Sequence, residues 1–177
     1  MHKDMQVAKS SRRIRYLVWL AGIVSAGAAV LRWLAPETRS WLPPTLAAFA
    51  PSGPLSPARR LAGFGVELLP LAAAVYALAA LHRICTAYAG GDLFGEQIGT
   101  HYRSFGIGLF LLGIGNGLYT AMMPTVLTFV PGSTRLAIPL GLSSADLYLL
   151  IVGGAVMLVG GVMGEAHRIH QDNSEIV

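Results

Sequence analysis

The chain has 177 residues, 54% of them apolar and only 12% charged, with a formal net charge of +4. Soluble domains average about 45–50% apolar and about 25% charged residues, so too little polar surface is available to coat a globule in water. Disorder, which needs low hydrophobicity and high net charge, is excluded, and a single cysteine excludes a disulfide scaffold or a cysteine-rich zinc module.

A helix crossing the hydrocarbon core needs about 20 mostly apolar residues, and four stretches qualify. The first, residues 16–35, carries Arg32 near its end. Ala26-Gly27-Ala28 within it resembles a signal-peptide cleavage site, but the apolar run continues past it to Leu31, so a retained span is expected. Residues 36–60 hold six of the ten prolines. Proline lacks the N–H that helix interiors and ladders use, which predicts a stiff, irregular outer loop. Its Trp41, Leu42, Leu46 and Phe49 are expected to lie on the bilayer surface. The second span, 61–81, contains Glu67. Gly90-Gly91 is a stop signal for its extension.

Residues 91–104 then read as an amphipathic elbow, with Gly95 as cap and Glu96 in the first turn. Phe94, Ile98, Tyr102 and Phe105 recur at helical spacing and form one apolar stripe. The third span, 105–130, is uncharged and carries Pro124, which is expected to bend it. The fourth, 143–163, has Asp146 near its start and leads into a tail over 164–177. No alternation of the membrane-barrel kind appears. The expected architecture is all-α: one domain over 1–177, a polytopic membrane protein with four transmembrane helices in an antiparallel bundle.

Eight basic residues (Lys3, Lys9, Arg12, Arg13, Arg15, Arg83, Arg103 and Arg168) share one side if both ends do. Four (Arg39, Arg59, Arg60 and Arg135) fall on the other. By the positive-inside rule both termini are cytoplasmic. The basic balance therefore reads as orientation and contact with anionic lipid; no direct nucleic-acid partner is expected.

Small residues let membrane helices approach closely. Gly106, Gly113 and Gly117 share one face of the third span, and Gly153, Gly160 and Gly164 repeat the same spacings on the fourth. These two faces are expected to pack against each other. Glu67 lies roughly 9 Å inside its helix at 1.5 Å per residue, and Arg32 lies at similar depth from the same end. A carboxylate in hydrocarbon needs a partner, water or a proton. Arg32 and Glu67 are the candidate pair, with snorkelling of Arg32 as the alternative. Asn116, in the glycine-rich centre of the third span, is the candidate buried polar residue. With Tyr119, Thr120 and Glu67 it forms the only outline of a polar pathway.

His167 and His170 share a helix face, with His82 and His101 possible neighbours on the same side, but zinc sites need three or four ligands in defined geometry. No metal and no cofactor are expected. Cys85 beside the membrane reads as packing, with acylation the alternative. No phosphate-binding loop or nucleophile elbow occurs, so no catalytic residues are assigned and an enzyme is not expected.

Leu81-x-x-Ile84, Tyr88-x-Gly90-Gly91-Asp92-Leu93-Phe94 and Tyr102-Arg103-x-Phe105-Gly106 resemble the central motif of a small bacterial membrane family, the domain of unknown function 2975 family. The tail, Arg168-Ile169-x-x-Asp172-Asn173-x-x-Ile176-Val177, is similar to that family's ending. Gly95 and Gly99 depart from the pattern, the first standing where Ser or Thr is usual and the second weakening the short helix. The resemblance implies a bacterial inner-membrane protein that anchors or antagonises a small cytoplasmic helix-turn-helix regulator. Phe94, Ile98, Tyr102, Asp172, Asn173, Ile176 and Val177 are then the partner contacts. Two other readings stay open: a small solute or ion transporter using Glu67 and Asn116, and a structural subunit or homo-oligomer that associates through glycine faces.

Overall fold

The structure, a computed structural model, describes residues 2–34, 44–51, 53–90, 96–128 and 143–174, with side chains over 16–34, 46–51, 53–90, 97–128 and 143–169. Every regular element among them is helical: α1 (His2–Leu34), a 3-10 turn (Pro44–Phe49), α2 (Pro57–Ala89), α3 (Glu96–Thr128) and α4 (Ser144–Ser174). All four α-helices contain stretches long and apolar enough to cross a membrane. Each reaches beyond the minimum span, because polar residues continue the helix once the apolar run ends.

The third span and its approach are one helix. Residues 96–104 belong to the first turns of α3 rather than to a separate elbow; Phe94 and the Gly90-Gly91 junction's second residue lie outside the described residues. α2 begins with Pro57 in its first turn, where the missing N–H costs nothing. It ends at Gly90, whose N–H bonds the carbonyls of Thr86 and Ala87. Pro70 and Pro124 both stand inside continuous helices.

α4 opens on a reciprocal cap. The Ser143 N–H and hydroxyl both donate to Asp146 Oδ2, at 2.9 and 2.7 Å, and the Asp146 N–H returns a bond to the Ser143 hydroxyl. Asp146 is therefore buried but satisfied. The Ser-x-x-Asp spacing is the sequence signature of such a cap, and it accounts for an acid at the start of a span. Ser143→Ala should lower stability by about 1 kcal/mol, read as a lower thermal midpoint in detergent; an unchanged midpoint would show that the cap is dispensable.

Extensive packing joins only consecutive helices, α1 to α2, α2 to α3 and α3 to α4, and each such pair is antiparallel. The expected bundle is thus an open row, not a closed four-helix barrel, with α1 and α4 as its edges. The end of the row where α1 begins and α4 finishes is called here the termini end; the opposite end, where α1 and α3 finish and α2 and α4 begin, is the loop end. Both edge helices present broad apolar faces, including Leu20, Ile23, Val24, Leu158 and Val162.

Glycines set the spacing of the row. A Cβ added to Gly99 would stand 2.8 Å from the Gly160 carbonyl oxygen. At Gly106 it would meet Gly153 O at 2.6 Å, and at Gly113 Asp146 O at 3.0 Å. The seam therefore repeats every seven residues on both helices. Gly106, Gly113, Gly153 and Gly160 lie on it as expected. Gly164 does not use its own missing side chain there, since an added Cβ meets nothing within 4 Å, although its backbone passes close to Gly99. Gly117 is only half-buried. Gly99, read from sequence as a weak point in a surface helix, is the seam's third member. The opposite face of α3 repeats the arrangement against α2, with Gly108 on Ala77 and Gly115 on Pro70. The glycine faces that association with another subunit would use are thus largely taken up by contacts within the chain.

Candidate functional site

The charges inside the spans converge at the loop end. Arg32 sits in the last turn of α1, and Glu67 lies about three turns into α2. Because the two helices run antiparallel, these positions come level. Arg32 Nη1 donates to Glu67 Oε1 at 2.6 Å. The indole N–H of Trp33 donates to the other carboxylate oxygen, Oε2. Tyr119 of α3 interacts electrostatically with both charged groups. The carboxylate is thus held from α1 by two adjacent residues, one charged and one neutral.

A buried apolar cluster lies beside this pair: Trp33, Leu46, Leu55, Val66, Met123 and Leu127, with Phe49 and Tyr119 packed against it. Leu46 is 1% exposed and Met123 0%. The 3-10 turn therefore folds inward and plugs the site, contrary to the expectation that Leu46 and Phe49 lie on the bilayer surface; Trp41 and Leu42 lie outside the described residues. Burial against α3 removes more apolar area from water and lipid headgroups than a surface position would. Gly63 makes room for the Trp33 indole, which an added Cβ would overlap.

The Arg32 side chain keeps 30% exposure and that of Glu67 10%. Arg32 thus pairs with Glu67 while part of its side chain stays exposed. Low-dielectric surroundings strengthen the attraction while raising the cost of either charge alone. Such an arrangement fixes the rotation of α1 against α2. Both Glu67 carboxylate oxygens accept from donors on α1. Asn116 is half-buried, and its backbone carbonyl accepts from the Thr120 hydroxyl at 3.0 Å. No described contact joins its amide to Glu67.

The termini end holds the remaining polar chemistry. His82, Arg83, Thr86, Gly90 and His101 line a cleft between α2 and α3. His82 and His101 thus line the same cleft, and no group of three metal-ligating side chains occurs among the described residues. Cys85 is buried and unoxidised. Tyr102 bonds Tyr88 through their hydroxyls at 2.8 Å, clamping α3 to α2. Tyr102→Phe should cost about 1 kcal/mol in thermal unfolding, no more than Tyr88→Phe or the double variant; additive losses would show that the two hydroxyls act separately. Ile98 is 3% exposed. Of the expected partner stripe, Ile98 and Tyr102 are therefore engaged by the fold itself. Gln97, Thr100 and Arg103 are the exposed residues of this turn.

α4 carries the tail as helix to Ser174. Glu165 and Arg168 form an exposed pair at 2.8 Å, of the kind that contributes little. The side chains of Asp172 and Asn173, and residues Ile176 and Val177 altogether, lie outside the described residues. Comparison of the chain with family models, with curated proteins and with solved structures finds no match.

Proposed function

We propose that this chain is a non-catalytic membrane protein whose termini end, facing the cytoplasm, recruits a small soluble helix-turn-helix regulator. The resemblance carried by residues 81–106 and 166–177 suggests the partner class, and an inner membrane of a bacterium as the location. The observation that supports an interaction role is the continuation of α4 as a polar helix to Ser174, past its apolar span. It stands beside the exposed Gln97, Thr100 and Arg103 at the same end of the row. These surfaces, with the segment Asp172 to Val177, form the docking region; Ile98 and Tyr102 support it from beneath rather than touching the partner.

Transport through Glu67 and Asn116 is the weaker reading, because Glu67 is buried and both its oxygens accept from Arg32 and Trp33. The discriminating experiment is affinity capture of the tagged full-length protein and of a form lacking Asp172 to Val177. Recovery of a helix-turn-helix protein with the first and its loss with the second supports recruitment. Identical partners, or none, overturns it.

A further inference from the structure

We infer that the termini end binds one anionic phospholipid, with an acyl chain between α1 and α2 and its phosphate at Arg83 and His101. Two clefts meet there. The first, about 210 Å³, is apolar and lined by Val18, Trp19 and Gly22 of α1 with Val75, Leu78 and Ala79 of α2. Gly22 faces Leu78 across it: a Cβ added there would sit 3.7 Å from Leu78 Cδ1. The second, about 420 Å³, is the polar cleft already described, with His101 reaching it from α3.

His82 and Arg83 line both clefts. The apolar channel therefore runs directly into a cationic mouth, which is the charge and polarity sequence of an anionic lipid. No carboxylate lines either cleft among the described residues. No ion pair joins Arg83 or His101 to another described residue. The Nδ1 of His82 is buried without a hydrogen-bond partner, although its ring is fixed edge-on to Trp19 at 5.8 Å between centroids. Thr86 donates to the His82 carbonyl and leaves its hydroxyl oxygen facing no other described donor. The position also suits a headgroup: His82 lies about 22 Å along α2 from Glu67 at 1.5 Å per residue, near the far edge of the apolar span. A cation near an anionic surface contributes about 1 kcal/mol, or roughly a fivefold preference over a zwitterionic headgroup.

The test uses the full-length protein in phosphatidylcholine vesicles containing a minor fraction of chain-brominated phosphatidylglycerol or chain-brominated phosphatidylcholine. Bromine quenches tryptophan on contact, and Trp19 lines the apolar cleft. Brominated phosphatidylglycerol should quench at several-fold lower mole fraction than its zwitterionic counterpart. Arg83→Ala/His101→Ala should equalise the two lipids, while Gly22→Leu, which fills the channel and leaves Arg83 and His101 in place, should weaken quenching by the anionic lipid. Equal quenching by both lipids in the parent protein overturns the inference, as does a preference that survives Arg83→Ala/His101→Ala. Excess inorganic phosphate, compared with chloride at equal ionic strength, separates the sources. A preference that persists assigns the site to lipid, and one abolished by phosphate alone assigns it to the free anion and overturns the lipid.

Discussion

Removing the Glu67 carboxylate should be among the most damaging single changes in the chain. Glu67→Ala leaves the Trp33 N–H without its acceptor and the Arg32 guanidinium without its carboxylate, beside an apolar cluster. Truncating one partner of a buried pair costs about 3–5 kcal/mol. The 30% exposure of Arg32 places the loss near the lower end, roughly 3 kcal/mol, because that side chain can turn outward. Arg32→Ala should cost less than Glu67→Ala, since Trp33 still satisfies one carboxylate oxygen. The exchanged variant Arg32→Glu/Glu67→Arg should recover part of the lost thermal midpoint and no more, because the Trp33 indole then faces a guanidinium and has no acceptor. Adding Trp33→Phe to the exchange should improve it, although Trp33→Phe alone weakens the parent by about 1.5–3 kcal/mol, the range for a hydrogen bond to a charged group. An exchanged protein no better than Glu67→Ala would show that the charges act separately.

The second large effect lies along the α3–α4 seam, where adding one methyl group should be felt. Gly106→Ala would place its Cβ 2.6 Å from Gly153 O and 2.7 Å from the Met157 backbone nitrogen, so the helices must part. Overpacking of this kind costs about 1–3 kcal/mol, and Gly106→Leu should separate α4 from the row. Gly99→Ala should behave like Gly106→Ala. Gly161→Ala and Gly164→Ala are the controls: a Cβ at either meets nothing within 4 Å. Both should be neutral or stabilising by about 0.5–1 kcal/mol, since alanine has the better helix propensity. Thermal midpoints in detergent separate the two classes. If Gly164→Ala proved as harmful as Gly106→Ala, the seam would extend further toward the termini end than its seven-residue repeat implies.

The chemistry of the loop-end site was legible to different depths. Arg32 and Glu67 stood out because a charge at equal depth from the same end of two successive spans has few other ways to lower its cost. Trp33 and Tyr119 did not stand out, because an aromatic residue in a span is ordinary. Only the rotation of α1 and the approach of α3 make them neighbours of the carboxylate. The Ser143–Asp146 cap has the Ser-x-x-Asp spacing of its kind, although from the sequence Asp146 stood out only as an acid near the start of its span. Leu46 and Phe49 were misplaced for a related reason: an apolar patch in a proline-rich loop suits a bilayer surface as well as a hole between helices. The hole itself is not encoded locally.

From the chain alone follow four helices long and apolar enough to cross a membrane and their antiparallel succession. Each of these depends on composition, run length and short connections. The tertiary structure decided the rest. It opened the expected bundle into a row, because each inner helix carries two small-residue faces and joins two neighbours. It turned Gly99 from a flaw into a contact, because a helix beginning at Glu96 extends the seam by one more repeat. It also gathered His82, Arg83 and His101 around a single cleft, though these residues are separated in sequence by an entire helix junction. Such neighbourhoods arise from helix rotation and register, which close packing of many side chains sets together and no single stretch of sequence contains.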